Sequence, residues 1–254
     1  MNWLLPAITL WQREIVRFLR QRDRVIGAFA TPIMFWLLLG LGLGKSFTSS
    51  QAPGGHGYLE YFYAGTLVMI LLFTAIFSTF TLIEDRREGF LQAVLVAPVG
   101  RFALVGGKVL GGTTLALLQA LIFLAFAPFV GFHLTVASVL WLTATMFLSA
   151  FALTALGFAI AWWMNSTAGY HAIMNIFLIP LWLMSGAVFP ASGAPAWLGW
   201  VMVINPLSYS VKAIQAGLYG ENGTAAFVVT ALFAGVMFVA ALAVTRRVTK
   251  GDLH

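Results

Sequence analysis

Residues 109–163 read VLGGTTLALLQALIFLAFAPFVGFHLTVASVLWLTATMFLSAFALTALGFAIAWW, without one Asp, Glu, Lys or Arg. The uncharged run extends further, so that 103 consecutive residues between Lys108 and Lys212 carry none of the four. A soluble domain has roughly a quarter of its residues charged and about half apolar. Here 9% of 254 residues are charged, 61% are hydrophobic, and the mean hydropathy is +0.93. A water-soluble globule is excluded. The chain reads as an all-α polytopic membrane protein.

Working outward from that stretch, the spans can be counted. A helix needs about 20 apolar residues to cross roughly 30 Å of hydrocarbon. Six segments qualify, at about 25–44, 61–83, 109–132, 137–163, 171–188 and 225–245. Gln51-Ala52-Pro53-Gly54-Gly55 is a loop, Gly131-Phe132-His133 a short turn, and Asn165-Ser166-Thr167-Ala168-Gly169 a polar connection. Pro128 and Pro180 fall inside spans as kinks, which neighbouring helices can accommodate.

Residues 197–218 compete as a seventh span. They contain Asn205-Pro206 and then Lys212, and a mid-membrane Lys costs about 2.5–3.5 kcal/mol on insertion scales. Seven spans would also separate Arg246, Arg247 and Lys250 from the other cations. The segment 196–219 is read instead as two short outer helices, Ala196–Ile204 and Ser208–Tyr219, re-entrant or interfacial, with Asn205-Pro206 as their turn.

With six spans both termini lie on one side. Twelve of the 14 Lys and Arg residues then share that side, leaving Lys45 and Lys212 opposite. The positive-inside rule makes the charged side cytoplasmic. The net charge of +6 is therefore topogenic and gives no reason to expect nucleic acid. The N-terminus is not a signal peptide, because its apolar stretch precedes the arginines instead of following them.

Within residues 4–24, Ile8, Trp11, Ile15, Phe18 and Leu19 follow helical spacing on one side, and Arg13, Arg17, Arg20 and Arg24 on another. Such a helix lies in the interface plane, with its rings at the acyl boundary and its guanidinia among lipid phosphates. It serves as a topological anchor, or as an anchor that also touches a cytoplasmic partner.

Several chemistries are missing. Cys is absent, so disulfides, thiolate metal sites and cysteine nucleophiles are excluded, and no metal site is expected. Gly44-Lys45-Ser46 imitates the end of a phosphate-binding loop, but the required first glycine is Leu39. A serine hydrolase would need Ser185 beside His171, and 14 residues of helix separate them by about 21 Å. Proton-coupled transport relies on a buried carboxylate, whereas Glu14, Asp23, Glu60, Glu84, Asp85, Glu88, Glu221 and Asp252 all sit at span edges or in loops. Energy for uphill movement would have to enter from outside the membrane.

The loop 84–108 is where it could enter. It opens Glu84-Asp85-Arg86-Arg87-Glu88-Gly89, continues with Phe90, Leu91, Val94 and Leu95 at helical spacing, and stops at Pro98. A short cytoplasmic helix with a charged start and an exposed apolar stripe suits docking into a groove of another protein. The alternative is a helix that merely rests on the bilayer.

At this loop the chain resembles the permease subunits of type-2 ATP-binding-cassette exporters, nearest to those for drugs, lipids and polysaccharides. The resemblance runs from Gly65 through Glu84–Gly89 to Leu95-Val96-Ala97-Pro98 and Gly107-Lys108. It resumes at Gly186, Pro190 and Asn205-Pro206-Leu207-Ser208-Tyr209. It implies a dimer, read as two copies of this chain, bound to two separate ATPase subunits. ATP and magnesium would belong to those subunits, so that this chain is not an enzyme and holds no cofactor. It further implies that Glu84–Pro98 is the coupling helix and that residues 4–24 supply a second contact. Asn205 and Pro206 would lie at an outer gate. Phe35, Trp36, Phe73, Phe77 and Phe177 would line a path between protomers along the first, second and fifth spans. The connection Met164–Tyr170 is uncharged, which weighs against a second strong ATPase contact there. The competing class is a non-transporting membrane scaffold or an intramembrane enzyme.

Overall fold

The structure, a computed structural model, describes residues 4–43, 57–190 and 195–247. The Gly44-Lys45-Ser46 motif, the Gln51–Gly55 loop and the cation Lys250 lie outside the described residues. Among the described residues the chain is all helical: α1 (Leu4–Arg20), α2 (Arg22–Leu43), α3 (Tyr58–Arg87), α4 (Phe90–Val96), α5 (Arg101–Leu124), α6 (Ala127–Val130), α7 (Val136–Ala161), α8 (Thr167–Trp182, running into a π turn at Leu183–Ala187), α9 (Ala196–Ile204), α10 (Pro206–Tyr219) and α11 (Thr224–Arg247). Six of these, α2, α3, α5, α7, α8 with its π turn, and α11, are long and apolar enough to cross a membrane.

The middle of the bundle is α3. It is buried from Tyr58 to Ile83 on nearly every side and packs on α2, α5, α7, α8 and α10. Small residues set how close these neighbours come. A Cβ on Gly112 would stand 2.5 Å from Ser78 Oγ of α3, and one on Gly65 would stand 2.6 Å from Ala187 O of the π turn. The outer helices α2, α8 and α11 instead leave Leu38, Leu41, Ile176, Phe177, Leu232 and Val239 exposed, as lipid-facing or partner-facing helices do.

Several boundaries differ from the hydropathy reading, each for a local reason. The third long helix starts at Arg101 and not at 109, because Lys108 is neutralised by contacts within the bundle and need not stay outside the helix. It stops at Leu124, and Pro128 opens the separate turn α6 instead of kinking a longer span. The polar connection at 165–169 begins a helix: Ser166 caps α8 by accepting from Gly169 N. Residues 4–24 divide at Gln21 into α1 and the start of α2. In the outer segment Asn205 caps α10, accepting from Leu207 N at 3.0 Å. Pro206 takes the first helical position, where its missing N–H is no loss. The Asn205 amide also donates to Leu181 O at 2.6 Å and so ties α9 and α10 to α8.

Candidate functional site

All the buried charge of the described chain gathers at one end of the bundle. Helix α1 lies against α5 with Leu10, Glu14 and Phe18 turned inward. Two glycines permit it: a Cβ at Gly107 would meet Ala7 O at 2.7 Å, and one at Gly111 would meet Glu14 Cβ at 2.7 Å. The close approach carries Glu14 to Lys108, whose Nζ donates to Glu14 Oε1 at 2.6 Å and to Asp85 Oδ2 at 2.6 Å. Thr81 Oγ1 donates to the other Glu14 oxygen at 2.5 Å. Asp85, Glu14 and Lys108 are 0%, 4% and 5% exposed. Three buried charges are tolerable only because each is paired and hydrogen-bonded.

Asp85 is the hub. Arg13 grips it as a fork, Nη1 to Oδ2 at 3.0 Å and Nη2 to Oδ1 at 2.7 Å, a geometry that matches the planar guanidinium to a carboxylate. Arg17 also donates to Asp85, and its second amino group reaches Glu84 and Glu88 at 3.1 Å each. Arg24, at the start of α2, pairs with Glu84. Burial acts to lower the pKa of Arg13, but the hydrogen bond and charge of Asp85 outweigh it and leave the guanidinium above its ordinary value. Arg13 stays a cation.

This corrects the expectation that Arg13, Arg17, Arg20 and Arg24 all point at lipid phosphates. Three of them reach carboxylates of α3 and the turn that follows it, and of the four Arg20 alone stays exposed without a carboxylate at ion-pair distance among the described residues. The apolar stripe is divided as well. Phe18 is buried and Trp11 donates to Thr114 Oγ1 at 3.0 Å, whereas Ile8 and Leu19 remain exposed.

From this anchored end the chain turns into α4. Gly89 makes the turn at φ +77°, a left-handed conformation that costs a Cβ-bearing residue about 1–2 kcal/mol. The short helix then sits with one side fixed: Leu91 is 3% exposed, and the Arg13 guanidinium lies 3.7 Å from the centre of the Phe90 ring. Its other side is open, with Gln92, Ala93, Leu95 and Val96 exposed, Val96 by 79%. The stripe read from the sequence as a single docking face is thus split. Phe90 and Leu91 hold α4 to the bundle, and Leu95 and Val96 face outward ahead of the exposed Pro98.

The remaining charges of the motif reach across the bundle. Arg86 donates to Met164 O and Asn165 Oδ1 at 3.1 Å each and to Trp162 O. Arg87 Nε donates to Asn165 O at 3.0 Å. A cation here suits the unpaired carbonyls at the end of α7. The uncharged connection between α7 and α8 is therefore clasped by the end of α3, a role that spacing alone could not reveal because 78 residues of chain separate the partners.

The five aromatic residues expected along a path are not brought together. Trp36 is spent internally, donating to Leu59 O at 3.0 Å and standing edge-on to Tyr63 and Phe123. Phe35 and Phe177 are exposed on α2 and α8. Phe73 and Phe77 pair with each other, and Phe77 meets His171 edge-on at 5.9 Å. Asn205 and Pro206 lie at the α9–α10 junction, remote from the ion cluster in sequence and bonded to α8.

The ABC-2 type transporter family matches residues 7–219. The chain is 27% identical over 216 residues to the transport permease ycf38 of Cyanophora paradoxa, covering 84% of this chain and 74% of that one. It is 25% identical over 223 residues to the doxorubicin resistance ABC transporter permease protein DrrC of Mycobacterium tuberculosis, covering 85% and 79%. To the inner membrane transport permease YadH of Escherichia coli K12 it is 22% identical over 222 residues, covering 84% and 83%. The matched region runs from the paired α1 through the ion cluster and α4 to the end of α10. The chain belongs to the ABC-2 type transporter family, as an integral membrane permease subunit of the kind that works with ABC ATPase subunits.

Proposed function

We infer that the chain is the membrane-spanning half of an ATP-driven exporter, with α4 as the point where a separate ATPase delivers work. The observation that supports this most is the two-sided environment of α4, fixed by Phe90 and Leu91 and open at Leu95 and Val96. A lever needs both a rigid attachment and a free face. ATP and its magnesium would be bound and consumed on two ATPase subunits, this chain contributing neither nucleophile nor base.

In this reading the charged end faces the cytoplasm, as the positive-inside rule directs, and the membrane is the cytoplasmic one with both termini inside. Two copies of the chain pair through exposed apolar faces such as those of α2 and α8, and the cargo passes between them. The cargo is amphipathic: a drug, lipid or polysaccharide, as suits spans without charge between Lys108 and Lys212. A relative named for doxorubicin resistance supports the drug end of that range.

The test is reconstitution of the chain with a partner ABC ATPase from the same cell, in proteoliposomes. Hydrolysis by the complex should exceed that of the ATPase alone and fall when Val96→Glu places a charge on the free face of α4. If the purified chain neither binds that ATPase nor alters its hydrolysis, a scaffold without transport becomes the better reading.

A further inference from the structure

The elbow between α1 and α2 holds a basic cleft that the docking machinery does not use. It has a volume of about 330 Å³ and is lined by Arg13, Val16, Arg17, Arg20 and Gln21. The three arginines differ in state. Arg13 and Arg17 are held by Asp85, Glu84 and Glu88, which fixes their planes without using every N–H. The ion cluster itself balances, since Arg13, Arg17, Arg24 and Lys108 are matched by Glu14, Glu84, Asp85 and Glu88. Arg20 lies outside that balance and leaves the cleft with surplus positive charge.

Two further observations say what would neutralise it. Arg20 is exposed and has no carboxylate at ion-pair distance among the described residues, so the cleft offers an unmatched guanidinium to an anion. On the outer side of α1, Leu5, Ile8, Val16 and Leu19 are all exposed. At 3.6 residues per turn these four occupy one sector of the helix, Arg20 and Arg13 the next, Arg17 the one after, and the buried face follows. Arg20 therefore stands at the border between an exposed apolar stripe and a fixed pair of guanidinia. A ligand matching that order has an acyl part and then a phosphate.

We propose that this cleft is a binding site for an anionic phospholipid. The phosphodiester sits against Arg20 and the outer N–H groups of Arg13 and Arg17, and the acyl chains run along Leu5, Ile8, Val16 and Leu19. The site needs only that the chain be embedded in lipid, so it stands independently of the export reading. Its consequence is regulatory: a lipid seated there touches the two arginines that hold Asp85 and, through Phe90, the base of α4.

Native mass spectrometry of the purified full-length chain in detergent tests it, with phosphatidylglycerol or phosphatidylcholine of identical acyl chains added at equal concentration. The wild-type chain should retain phosphatidylglycerol about fivefold more than phosphatidylcholine, the effect of one interfacial arginine. Arg20→Ala should abolish that preference. Arg22→Ala, an exposed arginine outside the cleft lining, should leave it unchanged. An unaltered preference in Arg20→Ala, or an equal loss in Arg22→Ala, would overturn the site. Displacement of the lipid by millimolar inorganic phosphate would show a free-phosphate site and overturn the lipid assignment.

Discussion

Lys108 Nζ and Asp85 Oδ2 meet at 2.6 Å in the interior, one from α5 and the other from the end of α3, with Glu14 of α1 completing the contact at 2.6 Å. Three helices are thereby joined at one point. Lys108→Met would leave two buried carboxylates facing each other, and breaking a buried pair in this way costs about 3–5 kcal/mol. The thermal midpoint of the detergent-purified chain should fall clearly. Lys108→Met combined with Glu14→Gln should recover part of the loss, because Asp85 would keep Arg13 and Arg17. An unchanged midpoint in the single variant would mean the cluster does not hold α1.

The glycine seam makes an independent prediction about the same join. Gly107→Leu must push against Ala7 O, a backbone atom that cannot rotate away, and should destabilise the chain by about 1–3 kcal/mol. Together with Lys108→Met the loss should be less than additive, since either change alone releases α1 from α5. Strict additivity in thermal unfolding would place the two effects in separate parts of the structure.

The two sides of α4 should respond oppositely to truncation. Leu91→Ala removes a buried side chain and should cost about 2–5 kcal/mol. Val96→Ala, at 79% exposure, should stay within about 0.5 kcal/mol of wild type. Equal effects in thermal unfolding would contradict the orientation described for this helix.

Arg86 is expected to govern the connection between α7 and α8. Arg86→Ala removes charge-assisted bonds to Met164 O, Asn165 Oδ1 and Trp162 O. Amide hydrogen exchange in residues 162–170 should accelerate about tenfold, the loss of roughly one such bond. Arg86→Lys should restore only part, lacking the planar fork. Exchange confined to α4, with 162–170 unaffected, would show that Arg86 does not clasp this connection.

The membrane architecture was legible because span length and missing charge are properties of contiguous sequence. The partners of the charges were not. Arg13 and Asp85 are 72 residues apart, and an arginine stripe on an amphipathic helix looks the same whether it meets lipid phosphate or a carboxylate. One signal was available: Glu14 interrupts the inward face of α1 formed by Leu10 and Phe18, and Glu84, Asp85 and Glu88 offer an acidic set to match the arginines. Lys108 misled the span boundary for the same reason, since hydropathy counts a lysine as exposed whether or not its charge is paired. Leu91 and Leu95 share the stripe spacing of α4, and only the position of Arg13 over Phe90 determines which end of that stripe is covered. The π turn at Leu183–Ala187, with Gly186 at φ +82° and its carbonyl accepting from Tyr61, was not legible, because 171–188 reads as one apolar span.

The central claim is that the free face of α4 seats the ATPase, and site-specific photocrosslinking tests it most directly. A benzophenone amino acid placed at Val96 in the complex assembled with a partner ABC ATPase should give a covalent adduct with that subunit, whereas one at Trp200, on the exposed face of α9, should give none. No adduct from Val96 in a complex that hydrolyses ATP, or an equal adduct from Trp200, would contradict the account.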